Sequence, residues 1–203
     1  MLKTVEMRWF FKELPKEVAR HWQESAHGQE RSDWYSMPCQ PNCGIKIREG
    51  ALETKLRYAC FGERSLGTIT GRLEGWKKWS LAFPPGELPQ CEELRAAGWL
   101  EVVKRRVLYL FEVRGGAVHA TATRPANGCS FEVTRLRVAE REHWTVGLEA
   151  IGPTEVALED NLRLVAQACL PQDEAVGRFQ AAASQGYAEW LSREAERVSQ
   201  GCP

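Results

Sequence analysis

The chain has no net charge, since its 27 basic residues are matched by 27 acidic ones. Without a global basic field, nothing draws nucleic acid or an anionic membrane to the whole surface. Neither partner is expected, and any preference for an anion has to come from local arrangement. No run of about 18 apolar residues exists, so no helical membrane span is expected. The opening Met1-Leu2-Lys3-Thr4-Val5-Glu6 also lacks the apolar stretch of a secretory signal. Cysteine is present but unpatterned. Seven is an odd number, and Cys39 and Cys43 have no second Cys or His pair at zinc-site spacing. Reduced thiols in a cytoplasmic protein are the expectation. There is no internal repeat and no low-complexity tract. A hydrophobic content of 43% in 203 residues fits one folded domain spanning 1–203.

What the chain does contain is a recurring alternation. Glu6-Met7-Arg8, Lys46-Ile47-Arg48, Glu53-Thr54-Lys55-Leu56-Arg57 and Lys104-Arg105-Arg106 each place charges two residues apart. In a strand, alternate side chains share a face, so each segment projects its charges together. The opposite positions of these strand-like stretches are also well filled with Val, Ile, Leu, Trp and Phe. One economical arrangement for many such strands is a closed barrel with a charged lumen and an apolar exterior covered by helices. A lumen dominated by Lys and Arg would suit a polyanion.

Along the chain, residues 5–11 read as a first strand. Pro15, at a first helical position, precedes Val18 and Trp22, which with Leu14 give a short amphipathic helix. Residues 27–29 read as a loop and 31–35 as the start of a strand. Residues 44–48 and 51–58 form a hairpin around Glu49-Gly50. Residues 62–75 read as turn-rich, and strand character returns over 76–83. A helix is expected over 90–97, stopped by Gly98. The longest strand candidate is 100–113, turned by Gly115-Gly116 into 117–123. Strands at 130–139 and 143–151 follow. Beyond Gly152-Pro153, the stripe Leu158, Leu162, Val165, Ala166 and Cys169 is helical and ends at Pro171. A last helix carries Tyr187, Trp190, Leu191 and Val198, which puts C-terminal helices over about 155–200. The class is α+β: an eight-stranded antiparallel barrel with helices packed outside.

A triphosphate held inside protein needs several cations, because each desolvated charge must be matched. Arg8, Lys46, Arg48, Lys55, Arg57, Lys78, Lys104 and Arg106 converge if the strands close. In the Lys77-Lys78 pair only one side chain can face inward. Hydrolysis would also need a way to orient water, which a divalent metal on hard carboxylate oxygens could supply. Glu6, Glu132 and Glu149, on different strands, are the candidates. The same three could equally be ion-pair partners of the lumen bases. The eight Trp residues read as packing between barrel and helices, and the four His residues show no spacing pattern.

These segments, in this order, resemble the CYTH or triphosphate tunnel metalloenzyme family. The likeness runs from Val5 to about Leu191 through Glu6-Met7-Arg8, Asp33-Trp34-Tyr35, Lys46-Ile47-Arg48, Leu52-Glu53-Thr54-Lys55, Lys104-Arg105-Arg106, Phe131-Glu132, Leu148-Glu149-Ala150 and Gly186-Tyr187-Ala188-Glu189-Trp190-Leu191. The resemblance implies an antiparallel tunnel that takes tripolyphosphate, a nucleoside triphosphate or thiamine triphosphate. It also implies Mg²⁺ or Mn²⁺ as cofactor. Its opening pattern, Glu-x-Glu-x-Lys, differs here: Arg8 stands for the second Glu and Phe10 for the Lys, and Gly147 holds the place of a further late acid.

Two expectations result. One is a metal-dependent triphosphatase, with the eight cations gripping phosphate and the three glutamates holding metal. The other is a non-catalytic anion-binding module on the same barrel. A lipocalin-like barrel with an apolar ligand, its charges facing out, is a third reading.

Overall fold

The computed structural model describes residues 2–23, 29–170 and 177–199. Among the described residues nine strands form: β1 (Leu2–Phe11), β2 (Gln29–Tyr35), β3 (Cys43–Arg48), β4 (Ala51–Leu66), β5 (Ile69–Ala82), β6 (Leu100–Arg114), β7 (Ala117–Thr121), β8 (Gly128–Val138) and β9 (Arg141–Ile151). They pair antiparallel in the order β2-β3-β4-β5-β1-β9-β8-β6, and β6 returns to pair with β2. Eight strands thus close into a barrel without open edges, a size whose interior holds packed side chains or one small ligand. β7 is added to the end of β6 as a hairpin outside the ring. The turn there is Gly115-Gly116, both at positive φ, as a tight hairpin of this hand requires. The helices α1 (Ala19–Gln23), α2 (Cys91–Ala96), α3 (Glu155–Cys169) and α4 (Tyr187–Ser199) lie outside the wall.

The alternation sorts the wall into two faces. Val5, Met7 and Trp9 of β1, Phe131 and Val133 of β8, and Val146 and Leu148 of β9 are buried outward. Against them packs the predicted stripe of α3, Leu158, Leu162, Val165, Ala166 and Cys169. Burying each such large apolar side chain is worth about 1.5–3 kcal/mol. Thr154 caps α3 by accepting a hydrogen bond from the Ala157 amide at 3.2 Å. On the opposite side Leu94 of α2 covers Trp34 and Ile47.

α4 crosses one end of the barrel. Ala188, Trp190 and Leu191 meet the inward residues Phe10, Val102, Leu136 and Val138, and seal that end with an apolar plug. The Phe10 and Trp190 rings stack with centroids 4.6 Å apart. The buried Glu194 carboxylate ties the helix to β9 through Arg141 at 3.3 Å and His143 Nε2 at 3.2 Å. Burial lowers the His143 pKa against the pull of Glu194.

One stretch corrects the sequence reading. Residues 62–75 are not turn-rich: β4 continues to Leu66 and β5 begins at Ile69, leaving one tight turn at Gly67. Two of the glycines that suggested turns, Gly71 and Gly75, serve close packing instead. A Cβ at Gly71 would lie 2.6 Å from the Met7 side chain, and one at Gly75 would lie 2.6 Å from the Tyr58 ring. Of the predicted loop at 27–29, Gln29 instead opens β2, while residues 27–28, Pro171 and the side chain of Val198 lie outside the described residues.

Candidate functional site

The inward faces of the eight strands enclose a cavity of about 290 Å³. Its lining includes nine basic residues and four glutamates, a formal excess of five positive charges before the buried Asp33 beneath it is counted.

At the end nearest α4 the arrangement is built on Asp33 of β2, which is fully buried. Its carboxylate accepts from Lys46 Nζ at 2.7 Å, Lys104 Nζ at 2.9 Å and Arg31 Nε at 3.2 Å. Burial alone would raise the Asp33 pKa, but the Lys104 and Lys46 ammoniums override it and hold the carboxyl far below the usual carboxylate range. Lys104 also donates to Tyr35 Oη at 2.6 Å and sits 4.0 Å from the Tyr187 ring centroid. Burial, reinforced by the nearby Lys46 and only partly offset by Asp33, brings the Lys104 pKa down to about 7. Thr134, which lines the cavity opposite Arg106, has a buried Oγ1 without a hydrogen-bond partner.

Midway along the lumen, the Arg8 guanidinium lies between two carboxylates. Nε donates to Glu6 Oε1 at 2.7 Å and Nη1 to Glu132 Oε1 at 2.8 Å. The second oxygen of each acid is also engaged, Glu6 Oε2 by Lys55 and Glu132 Oε2 by Arg106 at 3.4 Å. Burial opposes ionisation of Glu6, yet Lys55 and Arg8 bring its pKa down to about 2. Glu132 is likewise lowered against its burial, chiefly by Arg8 and Arg106. The two glutamates keep Arg8 charged in spite of its own burial.

Glu53 gathers Arg48 at 2.7 Å, Lys78 at 2.8 Å and Lys46 at 3.4 Å. Glu149 has Arg124 at 3.6 Å and Lys55 at 3.8 Å, longer and looser contacts.

Of the residues predicted from sequence, Glu6, Glu132, Glu149, Arg8, Lys46, Arg48, Lys55, Lys78, Lys104 and Arg106 line this one cavity. Lys78 is the inward member of its pair, while the Lys77 ammonium sits by Tyr58. Arg57 does not line the cavity. It pairs with Glu74 at 2.5 Å, and the ladder slips immediately after it, between Arg57 and Ala59, so this strand turns its next residues differently. Sequence reasoning missed Arg31, Asp33, Glu53 and Arg124 as site residues. The first three carried a signal, because Arg31 and Asp33 alternate as the other segments do and Glu53 shares a face with Lys55. Arg124, in the connection from β7 to β8, carried none.

The three glutamates do not form a metal centre as they stand. Each carboxylate faces cations, and no group of three metal-binding side chains occurs among the described residues. A hard divalent ion needs several free oxygens converging on one point. Here the oxygens of Glu6 and Glu132 are already committed to guanidinium and ammonium donors. The residues present therefore do not fit the expected Mg²⁺ or Mn²⁺.

No protein-family model and no curated protein matches the chain. Among solved structures, a match covers 88% of this chain and 99% of a Bacillus halodurans protein described as a "putative adenylate cyclase", at 12% sequence identity and a TM-score of 0.38.

Proposed function

We propose that the protein binds a compact polyanion, a triphosphate or short polyphosphate, inside the barrel, and that it does so as a binding module without turnover. The observation that carries this reading is the excess of cations over carboxylates within one small cavity. Side chains that cost so much to desolvate gain from an arriving charge that matches the surplus. Arg supplies planar forks for phosphate oxygens, and Lys supplies compact point charges. The volume of about 290 Å³ is at the small end of ligand sites, which favours a run of phosphoryl groups over a whole nucleotide. An unpartnered hydroxyl at Thr134, the cross-strand neighbour of Arg106, offers a donor to a terminal oxygen. The commitment of Glu6 and Glu132 to ion pairs supports binding over metal-assisted hydrolysis.

The test is calorimetric and thermal titration with tripolyphosphate, ATP and thiamine triphosphate, alongside a phosphate-release assay with Mg²⁺ or Mn²⁺. Tripolyphosphate should bind and raise the melting temperature, Lys104→Met and Arg106→Ala should weaken it, and no phosphate should be released. Absence of binding by all three would refute the reading. Metal-dependent release lost on Glu132→Gln would replace it with the triphosphatase.

A further inference from the structure

We propose that Arg8 is a built-in cation occupying the position between Glu6 and Glu132 that a divalent ion would need, so that the tunnel takes its polyanion in the metal-free form. The second half of this statement rests on the polyanion reading above; the first does not.

The geometry begins with the ladder. Arg8 of β1, Gly147 of β9 and Glu132 of β8 form one rung across three adjacent strands, since Gly147 is the cross-strand partner of both others. In such a rung an inward side chain on the middle strand would separate the outer two. Gly147 has none, and the Arg8 guanidinium lies across the vacated place. A Cβ at position 147 would stand 2.6 Å from Arg8 Nη2 and 2.7 Å from Cζ, closer than real contacts allow. A side chain at 147 would thus force the guanidinium out of this place, whereas the backbone φ of Gly147 does not itself call for glycine.

The same guanidinium reaches Glu6 at 2.7 Å, Glu132 at 2.8 Å and Thr145 Oγ1 at 3.4 Å. Thr145 is itself fixed, donating to the Trp9 carbonyl at 2.8 Å. Arginine does not give up its proton in proteins, so the charge between the two acids is permanent. A divalent ion bound to both carboxylates would have to displace this side chain or sit against it, at a separation where like charges repel strongly. Together with Lys55 and Arg106, Arg8 offsets the charges of Glu6 and Glu132 and keeps them from repelling an incoming anion. The ligand that fits is a polyanion stripped of its own counter-metal, because the protein supplies the counter-charge.

Two measurements separate this from the anion-binding reading. Mn²⁺ titration followed by electron paramagnetic resonance should show no stoichiometric ion on the wild-type protein, with or without tripolyphosphate. Arg8→Ala, which leaves Glu6 and Glu132 facing each other, should bind Mn²⁺ at least about tenfold more tightly than wild type. Wild-type Mn²⁺ binding that Glu132→Gln removes would overturn the role of Arg8 whatever the variants' stability. So would an Arg8→Ala protein that melts cooperatively yet gains no Mn²⁺ affinity. Calorimetry with tripolyphosphate should then give binding in EDTA that excess Mg²⁺ weakens about tenfold or more, because the metal sequesters the free ligand. Tightening by Mg²⁺ would overturn the metal-free ligand. No binding in either condition would overturn the polyanion reading and the metal-free ligand with it, while the Mn²⁺ titration would still decide what Arg8 occupies.

Discussion

Replacing Asp33 by Asn keeps the side chain's shape and removes the one charge that holds Lys46, Lys104 and Arg31 together. Breaking a buried ion pair by deleting one partner costs about 3–5 kcal/mol, because the other charge is left uncompensated. Relief is available here in a form that depends on pH. Lys104 already has its pKa at about 7, so above that value it can shed its proton almost freely in the variant. At pH 8 the cost should therefore lie near the lower end, about 3 kcal/mol. On acidification the wild-type Lys104 is protonated opposite Asp33, whereas the variant's lysine resists protonation. The unfolded variant then binds a proton that its folded form does not, so its stability falls with pH by about 1.4 kcal/mol per unit. Between pH 7 and pH 6 the gap from wild type should widen by about that amount. In a protein of this length each kcal/mol moves the melting temperature by about 2–4 °C, so a drop of about 6–12 °C is expected at pH 8. Urea denaturation of both proteins at pH 8, 7 and 6 measures the difference directly. A cost below about 1 kcal/mol at pH 8, or one that does not grow on acidification, would refute Asp33 as the anchor of the basic group.

Three further outcomes are expected. Tripolyphosphate binding at pH 8 should draw close to one proton onto Lys104, as the anion restores a charge that burial had disfavoured; calorimetry in buffers of different ionisation enthalpy should show this uptake in wild type but not in Lys104→Met. Glu53→Gln frees Arg48 and Lys78 from their 2.7 Å and 2.8 Å contacts, and should tighten tripolyphosphate binding about three- to tenfold with a steeper salt dependence; unchanged or weaker binding would count against the charge-surplus argument. Leu162→Ala, at a fully buried position of α3, should cost about 2–5 kcal/mol of stability by leaving a cavity against the barrel. That same variant should leave tripolyphosphate affinity unchanged, because α3 packs on the outward face of the wall.

Much of the architecture follows from local pattern. Charges at Glu6 and Arg8, Lys46 and Arg48, and Glu53 and Lys55 stand two apart around Met7, Ile47 and Thr54, and strand geometry alone assigns each pair to one face. The stripe from Leu158 to Cys169 likewise specifies a helix that must be covered on one side. Glycine marks the limit of that logic. At Gly50 it sits at positive φ in the hairpin turn, as local pattern predicts, whereas at Gly71 and Gly75 it leaves room for Met7 and Tyr58 inside continuous strand.

What the sequence could not decide is which way the charged face points, because an alternating strand is equally consistent with a solvated sheet. Closure decides it: once β6 pairs with β2, the charged phase is enclosed and α4 seals one end. Closure also sets the partners. Whether Glu6 and Glu132 would face a metal or a base depends on what lies across the barrel, and the absence of a side chain at Gly147 lets Arg8 reach both. Arg57 shares its phase with Lys55 in sequence but is withdrawn from the cavity by Glu74 and the slip that follows it. Alternation is a property of one strand and is written locally; the identity of an ion-pair partner is a property of the closed ring, and only tertiary structure supplies it.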